Sequence, residues 1–112
     1  MISKALTAAS TKAIILAILR RGENYGYQII QSVRDTSGGD LDWSEPMLYP
    51  VLKRMEREGL VRSQWKQTDN GRFRRYFRLT AEGRAELEKE KDQWFKVHEA
   101  FVKILEPVRQ ER

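Results

Sequence analysis

Within residues 60–79, two runs of strand-forming residues flank Asn70-Gly71. Asn-Gly is a strong local signal for a tight hairpin, since a type I′ turn needs positive φ at both central positions. The returning run carries Arg72, Arg74, Arg75 and Arg78. Like charges on neighbouring strand positions repel, so a purely structural hairpin rarely concentrates them. A polyanionic partner removes that objection.

The hairpin sits in a wider basic tract. From Lys53 to Arg78 there are nine basic and three acidic residues, a net of +6, against +5 for all 112 residues. The rest of the chain is therefore close to neutral, and one basic patch on a balanced protein is the footprint of a nucleic-acid binder. There is no cysteine, which excludes disulfides, thiolate chemistry and cysteine-based metal sites and is compatible with a reducing cytoplasm. The longest apolar run, Ala13 to Leu19, is too short to span a bilayer, and the N-terminus has no apolar signal core. A cytoplasmic protein with no membrane partner is expected.

Apolar spacing organises the remainder. Ser10 or Thr11 is a candidate N-cap for a helix over 11–21, with Ile15, Leu16, Ile18 and Leu19 on its apolar face. Residues 1–10 either extend that helix or form an arm. A second helix is expected from about Tyr25 to Thr36, ended by Ser37-Gly38-Gly39. Leu41-Asp42-Trp43 suits a very short strand. Ser44 is a strong N-cap, Glu45 complements the helix dipole, and Pro46 is tolerated in the first turn of a third helix that Gly59 stops. After the hairpin, Thr80 caps a fourth helix that meets no breaker until Pro107. The expected fold is mainly α with a small β-hairpin: a winged helix-turn-helix over 1–79, then a C-terminal dimerisation helix over 80–112.

In such folds the recognition helix presents its N-terminal residues to base edges in the major groove. Ser44 and Tyr49 can reach phosphate oxygens, Met47 can touch a thymine methyl, and Lys53 adds a phosphate contact. Glu45 would repel phosphate and serves the cap, with a cytosine contact as its alternative. Arg72 and Arg74 lie nearest the turn and are the leading wing contacts. Arg75, on the opposite face by strand alternation, suits a protein partner. Tyr49 has a second reading, as a core residue capping the wing, and Tyr27 reads as core.

The fourth helix is apolar round much of its circumference. Leu87, Trp94, Phe101 and Val108 fall seven apart; Val97 with Ile104, and His98 with Leu105, lie beside them. Such a helix needs two surfaces to bury against, and a second copy of the chain supplies one. Trp94, Val97, His98, Phe101 and Leu105 are the candidate dimer-interface residues. His98, the only histidine, reads as solvated or core, with a pH-sensitive interface as the alternative.

Tyr25-Gly26-Tyr27-Gln28-Ile29-Ile30, Leu48-Tyr49-Pro50-Val51-Leu52-Lys53-Arg54-Met55-Glu56 and Gly71-Arg72-Phe73-Arg74-Arg75-Tyr76 occur in this order and spacing. Together they resemble the PadR family of transcriptional regulators, in its short branch with a single C-terminal helix. That resemblance implies a homodimeric repressor on a palindromic promoter site in double-stranded DNA. It places DNA contacts at Ser44, Met47, Tyr49, Lys53, Gly71, Arg72 and Arg74. The chain departs from the family pattern at Glu45-Pro46-Met47, where a Gly-Thr pair is more usual. Some family members hold flat aromatic compounds between their C-terminal helices against a tryptophan. Trp94 is the matching position for a small aromatic effector, with plain interface core as the alternative.

Two other classes fit the sequence less well. A winged-helix protein–protein module gains little from clustered arginine. An enzyme would need a nucleophile, metal site or acid pair, and one histidine with no cysteine supplies none of these. No catalytic residues, metal or cofactor are expected.

Overall fold

The computed structural model describes residues 2–108. Four helices surround one core: α1 (Lys4–Arg20), α2 (Gly26–Thr36), α3 (Glu45–Arg57) and α4 (Ala81–Leu105). Strands β1 (Asn24–Tyr25), β2 (Val61–Gln67) and β3 (Phe73–Leu79) form one antiparallel sheet in the order β1-β3-β2. This is the expected winged helix-turn-helix with a long C-terminal helix.

The first helix begins earlier than expected. Ser3 is its N-cap, its hydroxyl accepting from the Leu6 amide at 3.1 Å. Ser10 and Thr11 lie mid-helix, and both hydroxyls donate back to the Thr7 carbonyl. Their polarity is thus satisfied without ending the helix, which is how serine and threonine persist in helix interiors. Residues 4–10 belong to an extended α1 rather than to a separate arm.

Leu41-Asp42-Trp43 forms no strand. Trp43 is only 4% exposed and joins the core, so the segment anchors the α2–α3 connection by burial. The third strand lies instead at Asn24–Tyr25, whose two residues pair with Phe77 and Tyr76. Two residues leave too little periodicity to read from sequence.

The end of α3 explains the entry into the wing. Gly59 has φ +78°, its amide donates to Glu56 and the Leu60 amide donates to Met55. This pair of bonds is a Schellman motif, which satisfies two of the carbonyls left open at a helix end. It turns Leu60 and Val61 into the core and starts β2.

The hairpin turn is not type I′. Gly71 alone takes positive φ, at +86°, and no non-glycine residue does so among the described residues. The Gly71 amide donates to Thr68, and Thr68 donates to Arg72 at 2.7 Å. This is a type I turn closed by a glycine bulge. Asn70 contributes its side chain instead, accepting from the Arg72 amide at 3.2 Å. An asparagine that bonds the backbone two residues on stabilises the turn without entering left-handed space.

The core joins Ile15, Leu16 and Leu19 of α1, Ile29 and Val33 of α2, Leu48, Leu52 and Met55 of α3, Val61, Phe77 and Leu79 of the sheet, and Leu87 of α4. Beyond Trp94 the fourth helix leaves the body. Phe95, Val97, Phe101, Ile104 and Leu105 are all more than half exposed. The molecule is accordingly 71 Å long but only 29 by 21 Å across. No helix among the described residues is long and apolar enough to cross a membrane.

Candidate nucleic-acid interface

The exposed side of α3 follows from its buried one. Leu48, Leu52 and Met55 point inward at three- and four-residue spacing, so Glu45, Tyr49, Lys53 and Arg54 face outward. Ser44 caps the helix by accepting from the Met47 amide at 3.3 Å. Its oxygen accepts in the cap, which leaves the O–H able to donate to a phosphate oxygen. Met47 is half-buried and packs on the core edge, leaving part of its side chain at the surface. Lys53 is exposed one turn beyond Tyr49.

Tyr49 is 41% exposed and Tyr27 49%, so neither is a core residue. Tyr49 has a defined seat. A Cβ placed on Gly26 would come within 2.6 Å of the Tyr49 Oη and 2.8 Å of its Cζ. The phenol thus lies against the bare backbone at the start of α2, a seat that a Cβ at position 26 would push it out of. Partial burial, then the nearby Glu45, push its pKa above that of a free tyrosine, while Arg74 and Arg75 pull it down. The hydroxyl remains protonated at neutral pH and able to donate to a phosphate oxygen.

The wing has two chemically different faces. Arg62, Lys66, Arg74, Tyr76 and Arg78 share the outer face, and the register sets Arg62 against Arg78 and Lys66 against Arg74. Directly opposed like charges are unfavourable unless something else meets them. Within the chain, Arg74 lies 5.3 Å from the Tyr25 ring centroid, and Tyr25 meets Tyr76 edge-on at 5.2 Å. Lys66 contacts Glu23 and sits over Tyr76. A guanidinium on an aromatic face keeps its N–H groups free for a second partner. Arg72 is exposed beside the turn.

The inner face is different. Arg75 donates from Nη2 to Glu56 and from Nε to Ser63, both at 2.9 Å, and Glu56 also accepts from the Ser63 hydroxyl at 2.7 Å. Arg75 is therefore committed within the protein, tying the wing to α3.

The structure brings Tyr49, Gly26, Tyr25 and Arg74 into one chain of contacts linking recognition helix to wing. Tyr25, Tyr76, Lys66 and Glu23 were missed by sequence reasoning. The signal lay in Tyr25-Gly26, where a small residue follows an aromatic one, but its partner is 23 residues away in Tyr49.

The residues singled out on α4 are not enclosed by one chain. Trp94 lines a groove of about 380 Å³ against α1, with Ala13, Ile14, Ala17, Leu87 and Phe95. Val97, His98, Phe101 and Leu105 are exposed.

A family model described as the transcriptional regulator PadR-like family matches residues 15–89. A PadR-like transcriptional regulator from Bacillus cereus is 27% identical over 94% of this chain and all of its own, with a TM-score of 0.82. A PadR family transcription regulator from Clostridium difficile is 31% identical over 87% of this chain and 99% of its own, with a TM-score of 0.77. A transcriptional regulator from Clostridium thermocellum superposes with a TM-score of 0.84 at 25% identity, over 95% of this chain and 100% of its own. The matched span holds the recognition helix, the wing and the first turns of α4, so this chain belongs to the PadR-like family of transcriptional regulators, which are not enzymes.

Proposed function

We propose that two copies of this chain bind a palindromic promoter site as a repressor in the cytoplasm. Residues 1–79 serve as the DNA-binding domain and residues 80–112 as the dimerisation segment. The observation that supports DNA binding is the opposed Arg62/Arg78 pair on one wing face, with Arg74 on the same face and exposed Arg72 beside the turn. Polyphosphate resolves that repulsion. Ser44, Met47, Tyr49 and Lys53 enter the major groove, while Gly71, Arg72 and Arg74 meet the adjoining backbone or minor groove.

The exposed distal half of α4 supports the dimer. Phe101, Ile104 and Leu105 are 59%, 80% and 66% exposed, a cost that a second copy removes. Twofold symmetry then sets the two recognition helices about 34–36 Å apart, one DNA turn. A small aromatic effector fits between paired α4 helices at Trp94, whose groove is already apolar on its α1 side.

A salt titration of binding to a duplex selected from a random pool tests the reading. Several neutralised phosphates make log K fall steeply and linearly with log salt. Flat salt dependence would leave the protein–protein module in its place.

A further inference from the structure

Glu56 sits in the last turn of α3, where a carboxylate meets the negative end of the helix dipole. Arg54 and Arg57 in the same turn suit that end, and Glu56 does not. Its place is explained by what it bonds. Its Oε2 accepts from the Ser63 amide at 3.2 Å and from the Ser63 hydroxyl at 2.7 Å. Its Oε1 accepts from Arg75 Nη2 at 2.9 Å. Ser63 belongs to β2 and Arg75 to β3. Arg75 also donates from Nε to Ser63, and its guanidinium lies 5.6 Å from the Phe77 ring centroid. One carboxylate therefore closes a ring of hydrogen bonds through the recognition helix and both strands of the wing.

The ring lies where packing gives out. Phe77 is buried, whereas Trp65 and Phe73, nearer the tip on the same face, are more than half exposed. Among the described residues, the Glu56 ring is the outermost hydrogen-bonded tie between α3 and the hairpin. The ties on the other face, Lys66 to Glu23 and Tyr76 to Tyr25, run to the segment before α2 and not to α3. A binding constellation split over two elements works only while both are held in one relative pose, and supporting hydrogen bonds do that holding.

We propose that Glu56, with Ser63 and Arg75, is a positioning group that fixes the angle of the wing to the recognition helix. It thereby determines how strongly the protein prefers one DNA sequence over others. The proposal rests on the DNA-binding reading above and assigns these three residues no contact with DNA. Sequence preference needs helix and wing to engage one duplex together, whereas phosphate attraction tolerates a loose wing.

The test compares the full chain on a duplex selected from a random pool and on a scrambled duplex of equal length. Glu56→Ala removes the acceptor, and Arg75→Met removes the donors while keeping a stem over Phe77. The first raises net charge by one and the second lowers it by one, so a purely electrostatic effect would move affinity in opposite directions. Positioning predicts the same direction: the ratio of selected to scrambled affinity should fall about tenfold in each variant. The double variant should lose little more than either single one, because each breaks the same ring. Residual dipolar couplings of the free variants should show the β2 and β3 amides departing from the frame that α3 keeps. Ratios within about twofold of wild type, or shifts of opposite sign, overturn the proposal and leave DNA binding standing. A salt slope lowered by about 1 in Arg75→Met alone makes Arg75 a phosphate contact and overturns it too. So do variants that no longer melt cooperatively, since the ring would then serve folding. Wild-type protein with no salt-dependent binding to the selected duplex overturns both readings.

Discussion

Arg74 and Arg75 are neighbours with opposite fates, and strand alternation alone separates them. Arg75 is used up by Glu56 and Ser63, while Arg74 rests on Tyr25 with its donors available. Replacing Arg72 and Arg74 together by alanine should weaken DNA binding across sequences and lower the salt slope by about 2, one per lost phosphate contact. Fluorescence anisotropy at several salt concentrations measures it, and unchanged affinity would remove the wing from the interface. Gly26 makes a different prediction. An alanine there meets the far end of the exposed Tyr49 ring, which must swing away, so stability should change by less than about 1 kcal/mol while the tyrosine leaves its seat. Urea denaturation checks the first, and DNA affinity weakened without a stability loss checks the second. Alternation made the Arg75 assignment legible in sequence. The Tyr49–Gly26 contact was not legible, because it depends on how two helices cross.

Helix caps and turn residues carried most of the information about elements. Ser44, Gly59 and Thr80 each mark the boundary that their chemistry implies. Ser10-Thr11 misled because the same hydroxyls that cap a helix can also donate to a carbonyl three or four residues back. Asn70-Gly71 marked the hairpin but not its turn type, since Asn70 could serve through its side chain. The two-residue β1 is defined only by its partner β3 and has no pattern of its own. At the start of α4, the Thr80 hydroxyl accepts from Gly83 and donates to the Gly59 carbonyl. Thr80→Ala should cost about 1 kcal/mol or somewhat more, by thermal melting. Gly83→Ala should cost more, because its Cβ would fall 2.1 Å from the Leu60 carbonyl oxygen. A Gly83→Ala protein as stable as wild type would show that α4 does not seat on Leu60 as described.

At the scale of the whole molecule, α1 and α4 are tied by Lys12 and Glu86 at 2.8 Å. The Lys12 hydrogen bond holds the Glu86 carboxyl below its usual 4.5, and the same bond raises Lys12 above 10.5. The carboxylate's share of stability is present above pH 4.5 and is lost as pH falls through its lowered value. The ammonium's share is present below pH 10.5 and is lost as pH rises through its raised one. The pair is partly solvated, so it is worth up to about 1 kcal/mol. Lys12→Met should flatten the acid limb of a stability–pH curve measured by urea titration, and an unaltered limb would show the pair contributes nothing. Dimerisation is tested separately. If two copies pair through this helix as proposed, Phe101→Glu with Leu105→Glu should yield monomers by sedimentation where the unaltered chain sediments as a dimer, with the melting temperature of the winged domain retained. An unaltered chain that sediments as a monomer would remove the proposed dimer. Apolar spacing on α4 was readable from sequence, but the orientation of its free half was not, since that is set by packing on α1 and by one small joint at Gly59–Leu60.

That joint has a mechanical consequence. Gly83 lies on the Leu60 carbonyl, and the Thr80 amide and hydroxyl bond Leu60 and Gly59, so the base of α4 is seated where α3 ends and β2 begins. Leu87 and the Lys12–Glu86 pair brace its first turns on α1. The whole helix of 25 residues spans about 37 Å, so a tilt of about 5° about its base would sweep the far tip through roughly 3 Å. A force applied at the tip would therefore load that seat and α1 together with the leverage of the helix length.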